Sequence, residues 1–104
     1  MKNNYRHGDL LLKQIDELPK NLKAVEGGTL ALGEVTGHRH TIEADRDILQ
    51  LYEDENGRKY FMLKKPAPLT HQEHKTITIE KGLYLVEQEQ EFDPFKEEIN
   101  KVRD

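Results

Sequence analysis

Short apolar runs, broken at regular intervals by turn residues, limit what this chain can fold into more than any other feature. The runs recur about every 8–12 residues, with Gly, Pro, Asn and Asp between them, as is typical of small barrels and sandwiches. The stretch Thr76-Ile77-Thr78-Ile79 alternates strictly, as a half-buried strand should. No segment has the long 3.6-residue apolar period of an amphipathic helix. The pattern therefore predicts an all-β barrel or sandwich of about seven short strands.

One hairpin can be located directly. Two apolar and aromatic runs, 48–53 and 59–63, flank a turn that contains Asn56-Gly57. Both turn residues tolerate a positive φ, so this pair is a strong hairpin signal. The remaining strands are expected at 8–15, 29–36, 38–44, 76–79 and 83–91.

The segments after this hairpin carry three further expectations. Pro66 and Pro68 cannot donate backbone hydrogen bonds, so they predict an extended crossing without regular strand pairing. Residues 70–75 are compatible with one helical or 3₁₀ turn that Thr70 caps, with Glu73 three residues further on. Pro94 ends the last strand, and the charged stretch that follows is expected to be a short C-terminal helix or a tail.

Length and composition predict a single β domain over 1–104, with 1–6 and 96–104 expected to be mobile. Hydrophobic and charged residues each make up 35% of the 104 residues. The core is therefore expected to be lean and the surface heavily charged. A strand left at the edge of an open sheet needs cover, so a homo-oligomer is compatible with this fold.

Several functional classes are disfavoured by what the sequence lacks. The net charge is −4 and no basic stripe is present, which argues against binding a nucleic-acid backbone. No apolar run is long enough to span a membrane, and the first residues do not resemble a secretory signal, so a cytoplasmic location is expected. Cysteine and serine are both absent, which excludes disulfides, thiolate ligands and serine or cysteine nucleophiles.

The pointed chemical feature is a pair of histidine clusters, His38-Arg39-His40 and His71-Gln72-Glu73-His74. On a strand, residues two apart point to the same face, so His38 and His40 would both point inward if Ile42 is buried. On a helical turn, residues three apart also share one side. Each pair can therefore present two imidazoles in one direction.

Imidazole is a good ligand for zinc and other divalent transition metals. We expect His38, His40, His71 and His74 to be the ligands if a metal binds. Glu73 lies between two of them and is the candidate acid–base group of a metal-dependent enzyme. His7 is a candidate fifth participant if the first strand starts at the same end. In the alternative interpretation, the histidines are structural and hydrogen-bond to the backbone or face solvent.

Three histidine-bearing segments also carry a resemblance, namely Arg6-His7-Gly8-Asp9-Leu10-Leu11-Leu12, Gly33-Glu34-Val35-Thr36-Gly37-His38-Arg39-His40 and Leu69-Thr70-His71-Gln72-Glu73-His74. Together they resemble a family of small uncharacterised prokaryotic and phage-associated proteins, over roughly residues 6 to 95. The resemblance implies that the three segments belong to one pattern. It implies no reaction, substrate or metal.

Two functions remain open at this point. The first is a non-catalytic binding or assembly module with a histidine-rich end and an unidentified protein partner. The alternative is a small metal-dependent enzyme that uses the four clustered histidines and Glu73. The distance between the two histidine clusters discriminates between them, because the ligands of one metal must converge within a few ångströms.

Overall fold

A computed structural model describes residues 2–32 and 38–88. These residues form ten strands and no helix. In chain order the strands are β1 (Asn4–His7), β2 (Leu10–Ile15), β3 (Lys23–Val25), β4 (Thr29–Leu32), β5 (Arg39–Ile42), β6 (Leu49–Glu53), β7 (Lys59–Leu63), β8 (Ala67–Thr70), β9 (Ile77–Ile79) and β10 (Gly82–Gln88).

The strands form two antiparallel sheets, arranged as a sandwich. The larger sheet has the order β1-β2-β10-β7-β6-β3, and the smaller has the order β4-β5-β8-β9. Neither sheet closes into a barrel within the described part of the chain. The predicted all-β class is confirmed, and of the two predicted architectures the sandwich is the one observed.

The core lies between the sheets and is built by strand alternation. Leu10 and Leu12 of β2 are fully buried, whereas Lys13 is exposed. Phe61 and Tyr84, on neighbouring strands, stack with ring centroids 4.9 Å apart. The Tyr84 hydroxyl donates to the Glu80 carbonyl at 2.8 Å, so its polar end is satisfied despite burial.

The predicted hairpin is confirmed, because β6 pairs with β7 from Leu49↔Leu63 to Glu53↔Lys59. The turn is not a two-residue type I′ turn, which needs a positive φ at both Asn56 and Gly57, because only Gly57 has a positive φ, of 83°. The Asp54 carboxylate accepts the backbone N–H groups of Asn56 and Arg58 and organises the turn. A five-residue connection therefore replaces a two-residue one.

Two local expectations were wrong. Pro68 lies within β8, which pairs with both β5 and β9. Proline removes only one donor there, and its carbonyl still accepts the Glu43 N–H at 3.0 Å. Residues 71–75 form no helical turn, and the Thr70 hydroxyl donates across the sheet to the Thr41 carbonyl instead of capping one.

The strand boundaries also differ from those predicted. Three of the ten strands, β1, β3 and β8, were not predicted from the sequence. Asn4–His7, which overlaps the segment expected to be mobile, forms β1. The predicted C-terminal helix or tail lies outside the described residues. The described part of the chain contains no helix that could span a membrane.

Candidate functional site

All five histidines of the chain lie in one cluster. His71 is central, with ring centroids 4.5 Å from those of both His40 and His74 and 5.5 Å from that of His38. The His7 ring lies 5.1 Å from His40 and 5.6 Å from His74. The two sequence clusters are therefore close enough to act together.

A tight turn brings the first strand into this cluster. His7 ends β1 and pairs with Leu10, so Gly8 and Asp9 form a two-residue hairpin turn. Gly8 has a φ of 64°, which glycine adopts without strain. A Cβ at Gly8 would also overlap the His74 ring. Glycine is therefore favoured at position 8 for two reasons: it adopts the backbone conformation of the turn, and it leaves the space that the His74 ring occupies.

His7 and His40, which we call the inner pair, are held by hydrogen bonds at both ends. Their exposed fractions are only 3% and 0%. His7 Nε2 lies 2.8 Å from the Lys75 carbonyl, and His40 Nε2 lies 2.9 Å from Asp9 Oδ1. The Gln88 amide donates to the other Asp9 oxygen at 2.8 Å. The inner pair thereby joins β1, β5 and the β8–β9 connection.

The two remaining nitrogens of the inner pair face each other. His7 Nδ1 lies 3.0 Å from His40 Nδ1. Because a carbonyl and a carboxylate can only accept, both Nε2 atoms must carry hydrogen. In two neutral rings both Nδ1 atoms would then present lone pairs across this short gap. A hydrogen bond across this gap would then need one further proton, on one of the two Nδ1 atoms.

Two groups in this hydrogen-bonded line have shifted pKa values. Burial lowers the pKa of His7, the Lys75 carbonyl opposes that shift, and His40 and His74 reinforce it. Burial alone would raise the pKa of Asp9, but hydrogen bonds from Gln88 and His40 leave it below its usual value. His7 therefore favours the neutral form, and Asp9 favours the carboxylate.

His38, His71 and His74, which we call the outer histidines, have fewer fixed contacts. The Glu73 backbone N–H donates to His71 Nδ1 at 3.0 Å, and His38 Nδ1 lies 3.7 Å from Glu73 Oε1. His74 has no hydrogen-bond partner among the described residues. Burial lowers the pKa of His71, and the surrounding histidines lower it further.

Preassembled metal geometry is absent from residues 2–32 and 38–88, since no three His, Asp or Glu side chains there form a group that could hold a metal ion. Two open clefts, of about 680 and 400 Å³, are lined by residues within 24–50 and 43–68. Neither cleft is lined by a histidine. The histidine cluster is therefore a packed group of rings rather than the wall of either cleft.

Residues 6–89 match the family described as "Domain of unknown function (DUF8820)". The chain belongs to the DUF8820 family. Neither a curated protein nor a solved structure matches it. The matched region of the DUF8820 domain includes all five histidines and Asp9. This agrees with the expected resemblance to an uncharacterised family.

In the DUF8820 domain, the residues that the sequence predicted as a site are paired differently from the prediction. His40 points into the core with Ile42, as expected, whereas His38 precedes β5 and its side chain is 21% exposed. His7, a minor candidate in the sequence, pairs directly with His40. Asp9 was not anticipated. Its signal was its position in the turn His7-Gly8-Asp9, where glycine adjoins a histidine and a carboxylate.

Proposed function

We propose that this domain is a non-catalytic binding or assembly module whose functional centre is the histidine cluster. The observation that carries the proposal is the hydrogen-bonded line Asp9–His40–His7–Lys75 carbonyl. Every ring nitrogen in this line faces another group of the protein. The inner histidines therefore act inward, on one another and on a cation, rather than outward on a substrate.

The surroundings of Glu73 also support a non-catalytic role. Its side chain is 64% exposed. Neither of the two described clefts includes it. A general base that works on a bound substrate benefits from a site that positions the substrate and excludes water. Glu73 has no such enclosure among the described residues.

The metal-dependent enzyme remains the second candidate, because one contact favours it. The Glu73 carboxylate lies 3.7 Å from His38 Nδ1, and its backbone contacts His71. An acid–base carboxylate next to candidate ligands is the arrangement that such an enzyme requires. In this candidate the ligands are His38, His40, His71 and His74.

Glu73→Gln separates the two candidates, with Glu55→Gln as a matched exposed control. Untagged protein is saturated with Zn²⁺ and assayed on activated ester and phosphoester substrates. We expect no hydrolysis that Glu73→Gln removes, and equal melting temperatures for the two variants. Zinc-dependent hydrolysis that is lost in Glu73→Gln and kept in Glu55→Gln would overturn the non-catalytic proposal.

Assembly through strand edges is a further part of the proposal. Within the described residues, β1 and β3 lie at the edges of one sheet, and β4 and β9 at the edges of the other. Edge strands offer backbone donors and acceptors to a second copy or to a protein partner. Light scattering coupled to size-exclusion chromatography measures whether a homo-oligomer forms.

A further inference from the structure

The geometry points to a divalent transition-metal site built on the Nδ1 atoms of His7 and His40, with His74 as the third ligand. This inference rests on the proposed binding function and names its ligand as a zinc-like ion. It departs from the ligand set that the sequence suggests, because His7 takes the place of His38.

The rings of the inner pair are oriented as those of metal-bound histidines are. A metal-bound histidine usually donates its other ring N–H to a carboxylate or a backbone carbonyl, which fixes the ring and its tautomer. His40 does this towards Asp9, and His7 does it towards the Lys75 carbonyl. Both rings thus hold the support that metal ligands need, and both direct their remaining nitrogen to the same point.

The separation of the two Nδ1 atoms is close to the separation that a zinc site requires. Zinc binds imidazole nitrogen at about 2.0–2.1 Å, which places two ligand nitrogens of a tetrahedral site about 3.3 Å apart. The two Nδ1 atoms are 3.0 Å apart. A small widening of the gap would admit the ion, which the lone pairs of both Nδ1 atoms would then bind.

A third ligand must come from the outer histidines. No complete set of three is assembled among the described residues, so another ring must join when the ion binds. The His74 ring lies 5.6 Å from His7 and 5.9 Å from His40 and has no described hydrogen bond to lose. His71 is nearer to His40, at 4.5 Å, but its ring lies 6.2 Å from that of His7, and its Nδ1 already accepts the Glu73 N–H. His74 is therefore the better third ligand, and His71 is available as a fourth.

The nature of the ligands selects the ion. Imidazole nitrogens suit zinc, nickel, copper and cobalt, whereas calcium and magnesium require oxygen ligands. Within residues 2–32 and 38–88, Asp9 is the only carboxylate that bonds to the inner pair, and it faces Nε2 of His40. The site would therefore discriminate against magnesium by donor type.

Calorimetric titration of metal-stripped, untagged protein with Zn²⁺ tests the inference, with Mg²⁺ as the negative control. We expect about one equivalent of zinc and a rise in melting temperature on binding. His74→Gln should weaken zinc binding about tenfold or more, and Asp9→Asn about tenfold through its effect on His40. His38→Gln is the matched control and should bind zinc as the unaltered protein does.

A His7→Gln variant that stays folded should lose the site, and His74→Gln provides the test if it does not fold. Zinc binding below about a tenth of an equivalent would overturn the inference, as would His38→Gln weakening binding while His74→Gln leaves it intact. Failure here leaves the proposed non-catalytic module standing. If zinc binds and hydrolysis depends on Glu73, the proposed metal site stands, and the proposal of a non-catalytic module is wrong.

Discussion

The inner pair and the outer histidines share one cluster but are held in different ways. Both inner rings are buried, and each has a named partner at both nitrogens. Among the outer rings, His38 is 21% exposed at its side chain, and His74 has no described hydrogen bond. Burial with complete hydrogen bonding stabilises a unique arrangement, whereas partial exposure leaves a ring able to turn.

The difference between inner and outer histidines also separates His38 from His40, which form one cluster in the sequence. His38 and His40 are two residues apart, yet one precedes β5 and the other is fully buried within it. The Nδ1 atom of His40 instead contacts that of His7, which is 33 residues away. Proximity in sequence therefore identified the cluster but not the groups that act together inside it.

The largest expected effect comes from truncating one member of each group. His40→Ala removes the partner of Asp9 and of His7 and leaves a cavity, so it should lower the free energy of unfolding by about 3 kcal/mol. His38→Ala should lower it by less than about 0.5 kcal/mol. Urea denaturation measures both values. Equal losses for the two variants would remove the distinction between inner and outer histidines.

A smaller effect should follow from substitution at the turn that brings the two groups together. Gly8→Ala must hold a positive φ and displace the His74 ring, so it should cost about 2–3 kcal/mol. Gly57→Ala has a similar φ, of 83°, with nothing within 4 Å of the added Cβ, and should cost about 1 kcal/mol. Thermal denaturation compares the two. If Gly57→Ala is as costly as Gly8→Ala, the contact with His74 contributes nothing.

Local patterns predicted the strands whose determinants are local. The Asn56-Gly57 turn identified β6 and β7, and the alternation of 76–79 identified β9. The prediction was wrong at β8, because Pro68 disrupts a strand only where its missing backbone N–H is needed for pairing.

The candidate site was predicted only in part, because its bonds connect distant segments. The clustering of histidines in the sequence identified four of the five rings. The line from Asp9 through His40 and His7 to the Lys75 carbonyl joins positions 31, 33 and 68 residues apart. Such contacts depend on which strands lie side by side, and a backbone carbonyl has no sequence signature at all. The turn His7-Gly8-Asp9 gave a signal for Asp9, whereas Lys75 could not be recognised before the strand order was known.

The most direct test of the account is the protonation of the inner pair, read from ring ¹⁵N–¹H correlation spectra before and after adding Zn²⁺. We expect hydrogen on Nε2 of both His7 and His40 throughout, with zinc shifting their Nδ1 resonances and leaving those of His38 in place. An unprotonated Nε2 on either ring would contradict the hydrogen-bonded line itself. Nε2 protons that remain, with Nδ1 resonances unchanged by zinc, would contradict the metal site.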